Sequence, residues 1–227
     1  METICISFGG SVISRETGLN IQYIKEFAKI LARHKEKKFI AITGGGAVNR
    51  GYISKLRDEG MSEFELDEIG IAFTRINAMA LMSFLNGSDV YPKVVTNVDE
   101  LKRAHHQSRI VLLGGYIPGI STDAVSVITS EAVHARRLIN ISREAYVYDR
   151  PPEEKGARKL STLDYDGLIA LAAKYDSRTA KSGFIFDIVA SKLAKRSKLR
   201  IDFVGESIEE LEKAIKGMKH EGTAIGK

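Results

Sequence analysis

Three short apolar runs in this chain each end on glycine. Residues 3–8 run into Gly9-Gly10, residues 39–43 into Gly44-Gly45-Gly46, and residues 109–113 into Gly114-Gly115. Runs of this length, rich in Ile, Val, Leu and Phe, read as buried strands, and glycine marks where each stops. Between them lie stretches of helical period. Asn20 can cap a helix with the stripe Ile21, Ile24, Phe27 and Leu31, and helices are expected over 47–58 and 64–85, the second stopped by Asn86-Gly87. Strand and helix alternate to the end, which predicts an α/β fold with a mostly parallel sheet.

Further strands are expected at 91–96, 138–141, 199–204 and 223–225, and helices at 122–137, 162–174, 187–197 and 208–218. Thr122 or Asp123 would cap the first of these helices. The polar, proline-bearing stretch 150–156 is the best lobe boundary. A length of 227 residues suits one domain, or two lobes sharing a sheet. No apolar run is long enough to span a bilayer, and the first residues lack the layout of a signal peptide. Cys5 alone allows no internal disulfide, so a cytoplasmic setting is expected. The charge of +5 is mild and spread along helices, without the aromatic-basic interleaving of single-strand binders. Nucleic acid is therefore not an expected partner, whereas a phosphate-handling enzyme needs the same sign.

In an open parallel sheet, ligands sit at the carboxyl ends of the strands. Glycine there lets backbone N–H groups approach a phosphate, and a following helix adds its positive end. A single glycine pair after a strand more often marks only a tight turn. Three such loops could cradle a polyphosphate and a second phosphate facing it. Neither G-x-x-x-x-G-K-[ST] nor a helix-opening G-x-G-x-x-G is present, which disfavours P-loop and dinucleotide folds. The five histidines have no metal or catalytic spacing.

The segments SFGGSVIS (7–14), TGGGAVNRGYI (43–53), LDEIGIAFTRINAMAL (66–81), LLGGYIPGISTDAVSV (112–127), FDIVASKLAKRSK (186–198) and EGTAIG (221–226) cover the chain nearly end to end. Together they resemble the amino-acid-kinase superfamily, and within it the archaeal UMP kinases. The resemblance implies a single αβα sandwich domain, with an acceptor lobe over about 1–137 and a donor lobe over about 138–227. It implies ATP, Mg²⁺ and UMP as the reaction's components, and hexamers built from dimers. Gly9, Gly10, Ser11, Gly45, Arg50, Asn140, Tyr146 and Asp149 match the ATP side. Gly44, Asp67, Tyr116, Ile117, Pro118, Gly119, Ile120, Ser121 and Thr122 match the UMP side. Lys192 matches a lysine near the transferred phosphate, with Arg50 and Ser11 as further catalytic candidates and Arg75 as a cation toward the acceptor. No protein side chain is assigned to metal.

Two departures from the family pattern stand out. Ser7 occupies a position where many relatives carry lysine. The family's Asp-Gly pair after Asn140 is replaced by Ser142, Arg143 and Glu144, so either Tyr146 or Tyr148 can take the tyrosine role. The spelling Thr96-Asn97-Val98-Asp99 falls at the wrong place in chain order, and reads as a strand end with an Asp cap. A kinase of another small phosphate, such as isopentenyl phosphate, and a non-catalytic nucleotide-binding regulator remain alternatives.

Overall fold

A computed structural model describes residues 1–85, 87, 89–175 and 186–226. In chain order the elements are β1 (Glu2–Phe8), α1 (Gly10–Ile13), β2 (Ser14–Arg15), β3 (Gly18–Leu19), α2 (Ile21–Arg33), β4 (Lys37–Thr43), α3 (Gly46–Asp58) and α4 (Glu63–Met82). Then come α5 (Val98–Gln107), β5 (Ile110–Leu113), α6 (Thr122–Ala132), β6 (Arg137–Ile141), β7 (Val147–Tyr148), β8 (Lys159–Leu160) and β9 (Thr162–Leu163). The chain closes with α7 (Tyr165–Tyr175), α8 (Ile188–Ser197), β10 (Arg200–Val204), α9 (Ile208–Ile215) and β11 (Ala224–Ile225).

Seven strands form one sheet in the order β5-β4-β1-β6-β10-β11-β9. All neighbouring pairs are parallel except β10 with β11. Alternate side chains enter two cores, which is why the central strands read as continuous apolar runs. Ile4, Ile6, Phe8 and Phe39 pack under α2 and α9, while Cys5, Ile40, Val111 and Leu138 pack under α5, α6 and α8. The layers are therefore helix, sheet, helix, as expected. From β1 the chain crosses to β4 on one side, and it returns through α6 to β6 on the other. The carboxyl ends of β1 and β6 thus mark the switch point where an open sheet offers a crevice.

Several local expectations change. Residues 91–96 form no named strand: Val90 and Val95 make isolated bridges to β5, and Pro92 between them has no N–H to continue a ladder. The helix expected over 122–137 ends at Ala132, and a turn with His134 at φ 55° lets Arg137 open β6. Ser121, rather than Thr122 or Asp123, is its cap, accepting from Ala124 N. Asn97, not Asp99, caps α5 by accepting from Glu100 N at 2.9 Å. Thr162 and Leu163 join the sheet as β9, and α7 starts only after Asp164. A Ser62–Glu65 capping box opens α4, a local signature of its N-terminus. Asn86, the expected stop of that helix, lies outside the described residues.

Candidate functional site

A cleft of about 310 Å³ opens at the carboxyl ends of β1, β4 and β6. Gly9, Gly10, Ser11, Gly44, Gly45, Arg50, Thr122, Asn140 and Tyr146, all candidate site residues, line it. The first two glycine loops are pressed together there. A Cβ on Gly10 would lie 2.3 Å from Gly46 N, and one on Gly44 would lie 2.4 Å from Gly10 N. Glycine is required at these positions first so that one backbone can lie on another. The floor that results presents main chain, rather than side chains, to a ligand. Helices α1, α3 and α6 all begin at this floor, and neither α1 nor α3 has an acid in its first turn. The positive end of α3, a 13-residue helix with no acid in its first turn, favours an anion there.

Helix α4 holds the floor from behind. Asn77 Nδ2 donates to the carbonyls of Gly44 at 2.7 Å and Gly45 at 3.0 Å. Thr43 Oγ1 donates to Thr74 O at 2.7 Å, and Thr74 Oγ1 in turn accepts from Gly115 N at 2.7 Å. Arg75 Nη2 donates to the Gly115 carbonyl at 3.1 Å. Arg75 thus reaches the third loop with one nitrogen, while its Nε is buried without a hydrogen-bond partner. These Thr and Asn roles were not read from the sequence. The only signal was their presence inside the Thr-Arg-x-Asn stretch, since polar residues within a helix give no sign of which distant carbonyls they meet.

Asp67 and the loop after β5 come together as expected: Gly119 N donates to Asp67 Oδ2 at 2.6 Å. Ile117 is exposed, and Thr122 carries the loop into the cleft. Ile120 packs partly buried against the second core. Pro118 lies between the exposed Ile117 and Gly119, in the same turn. Tyr116 departs from the expectation. Its ring packs on the second core and its hydroxyl meets Thr129 Oγ1 at 3.3 Å, with burial pushing its pKa up to about 12. Ser121 donates to Asp187, the cap of α8, so the caps of two helices are tied at the rim.

Ser7 is buried, and its Oγ donates to Asp123 Oδ1 at 3.2 Å. Asn140 Nδ2 donates to the same oxygen at 3.1 Å. Asp123, treated in the sequence only as a helix cap, therefore sits at the heart of the cleft lining. Two of the candidate residues lie outside the lining of this cleft. Lys192 is exposed on α8, whose inner face is Ala190, Ser191 and Ala194, and it does not line the cleft. Asp149 also lies outside the lining. It accepts from Arg158 N and Arg158 Nε, both at 2.9 Å, and those bonds, with Arg150 beside it, hold its pKa at about 2. It clasps the hairpin β7–β8 instead. Of the two tyrosines, Tyr146 lines the cleft while Tyr148 bonds Glu144 at 3.2 Å. Arg50 is exposed at the cleft wall, and no ion pair joins it to a described carboxylate.

Mg²⁺ keeps several waters and uses one or two carboxylates together with substrate phosphates. Asp123 and Glu144 are the carboxylates among the described lining residues, and no described group of three or more acids, His or Cys forms a cage. That donor set fits an ion that phosphate oxygens would bring in, with Asp123 or Glu144 as the carboxylate that would help to hold it.

The model of the amino acid kinase family matches residues 2–204. A uridylate kinase of Thermoplasma volcanium is 39% identical over 225 residues, covering 99% of this chain and 97% of that one. One from Thermoplasma acidophilum is 37% identical over 99% of this chain and 96% of its own. Among solved structures, uridylate kinase from Archaeoglobus fulgidus superposes with a TM-score of 0.86 at 32% identity, covering 99% and 100% of the two chains. UMP kinase from Bacillus anthracis, at 19% identity and TM-score 0.79, shares the fold.

Proposed function

The chain belongs to the amino acid kinase family, and we propose that it transfers the terminal phosphoryl group of ATP to UMP, giving ADP and UDP. The observation that carries this reading is the glycine floor between β1, β4 and β6, where three helices begin, in a chain similar over its whole length to uridylate kinases. The donor would lie over Gly9, Gly10, Ser11, Gly45 and Asn140, with its base toward Tyr146. The acceptor would lie along Gly44, Asp67 and the backbone of the loop 116–122. On this reading the two lobes meet at the floor, with residues to about 137 mainly on the acceptor side.

An acceptor phosphate oxygen attacks the γ-phosphorus as the bond to the β–γ bridging oxygen breaks. The nucleophile is already anionic, so no strong base is needed. The work is positioning and neutralising charge between two anions. The floor amides and Arg50 would supply this, Arg as a bidentate fork. Mg²⁺ would add positive charge on the phosphates when bound. Asp67, holding Gly119 N with one oxygen, has the other for ribose hydroxyls. Transfer of label from γ-labelled ATP to UMP tests the reading.

We also infer a homo-oligomer, of the hexameric kind built from dimers. Tyr52, Phe64, Ile76 and Met79 are large apolar residues exposed on α3 and α4, with Ile21 exposed on α2. Light scattering of the dilute chain tests this, and a monomer would contradict it. No described helix is long and apolar enough to cross a membrane, and we propose a cytoplasmic setting.

A further inference from the structure

The segment 221–226 has so far no part in the transfer. Within it Thr223 is fully buried and meets four backbone groups. Its N–H donates to the Ala145 carbonyl at 3.2 Å, and its carbonyl accepts from Phe203 N at 2.8 Å. Its Oγ1 accepts from Val147 N at 2.8 Å and donates to the Leu160 carbonyl. Ala145 and Val147 stand on either side of Tyr146. Leu160 follows Lys159, whose Nζ lies 4.8 Å from the centre of the Tyr146 ring. Tyr146, Val147 and Phe203 all line the cleft. A single residue just before β11 thus bonds the backbone immediately before and after the cleft's tyrosine, and also the strand that lays a cation over its ring.

From this geometry we propose that Thr223 is a positioning residue for the donor nucleotide, fixing Tyr146 and Lys159 as one recognition unit at the donor end of the cleft. The proposal rests on the reading that ATP occupies this end. The hydroxyl is the essential part. Valine has the same shape, but it would leave Val147 N and the Leu160 carbonyl without their partner in a buried place. The cheapest relief is a shift of the 145–147 segment, and a small displacement of a binding group is costly where geometry sets the rate. Serine keeps the hydroxyl. The acceptor side lies across the glycine floor and shares none of these bonds.

The test compares Thr223→Val, Thr223→Ser, Tyr146→Ala and the double variant Thr223→Val/Tyr146→Ala in steady state, with UMP binding measured separately by calorimetry. Thr223→Val is expected to raise the KM for ATP about tenfold while the Kd for UMP stays within twofold. Thr223→Ser is expected to restore the KM to within about threefold. In the Tyr146→Ala background, adding Thr223→Val should change the ATP KM less than twofold, because the residue it acts through is gone. Lys159→Met, at an exposed position, serves if Thr223→Val fails to fold, and should raise the ATP KM with an unchanged melting temperature. Equal losses for ATP and UMP, or multiplicative effects in the double variant, would overturn the proposal while leaving the kinase reading intact. A wild-type chain that binds no ATP would overturn both.

Discussion

The Asn77 side-chain amide donates to the carbonyl of Gly44 at 2.7 Å, joining the long helix α4 to the floor of the cleft. The same nitrogen reaches the Gly45 carbonyl at 3.0 Å. Asn77→Ala removes the donor from both. Leaving buried carbonyls unmatched is expected to cost about 1–3 kcal/mol of stability. The glycine loop should also relax away from Gly10, lowering kcat/KM roughly tenfold or more. Denaturant unfolding and steady-state kinetics on one preparation check this. A variant of full stability and full rate would show that the floor holds itself.

Arg50 and Lys192 separate cleanly as tests of where the charge comes from. Arg50 is at the cleft wall, and Lys192 is exposed on α8 away from it. Arg50→Ala is expected to lower turnover by roughly 10²-fold, the usual effect of losing one preorganised donor. Lys192→Ala is expected to stay within about twofold of the parent, with melting temperature unmoved in both, as for most exposed substitutions. A large loss in Lys192→Ala would mean that α8 swings its outer face inward during turnover.

Stability should depend on pH through His220. Its Nε2 lies 3.3 Å from Oδ1 of the fully buried Asp202, and that bond raises the histidine above its ordinary value of about 6.5. Burial alone would raise Asp202, but His220 and Arg200 outweigh it and hold the carboxyl below its ordinary value. Arg137 also faces Asp202, and Glu2 faces Arg137. A histidine raised on folding stabilises fully below its unfolded value and ceases to do so as pH rises through its folded value. The gap in melting temperature between the parent and His220→Gln should therefore be widest below about pH 6.5 and close above it. A gap constant from pH 5 to 9 would contradict the pairing.

The strands at 3–8, 39–43 and 109–113 were legible because burial on both faces leaves no polar alternation, and glycine ends each run. A strand expected at 91–96 does not form, because Pro92 breaks a ladder that the apolar residues alone suggest. β9 escaped because its pairing is with Ala224 and Ile225, far along the chain. The glycine floor could be read from spacing, and Asp67 could be carried over with its loop. Asn77, Thr74 and Asp123 could not be read as site residues, since their partners lie on other elements. The exposed setting of Lys192 was not legible for a similar reason. Helical period says which residues share a face, and only packing says which face is inward.

The central claim is phosphoryl transfer to UMP across the glycine floor. Mixing the chain with γ-labelled ATP, Mg²⁺ and UMP, quenching at intervals and separating nucleotides tests it most directly. Label is expected in UDP, none on the protein, and far less in the products when CMP, AMP or isopentenyl phosphate replaces UMP. Folded protein that forms no labelled UDP, or that labels another acceptor in preference, would contradict the account.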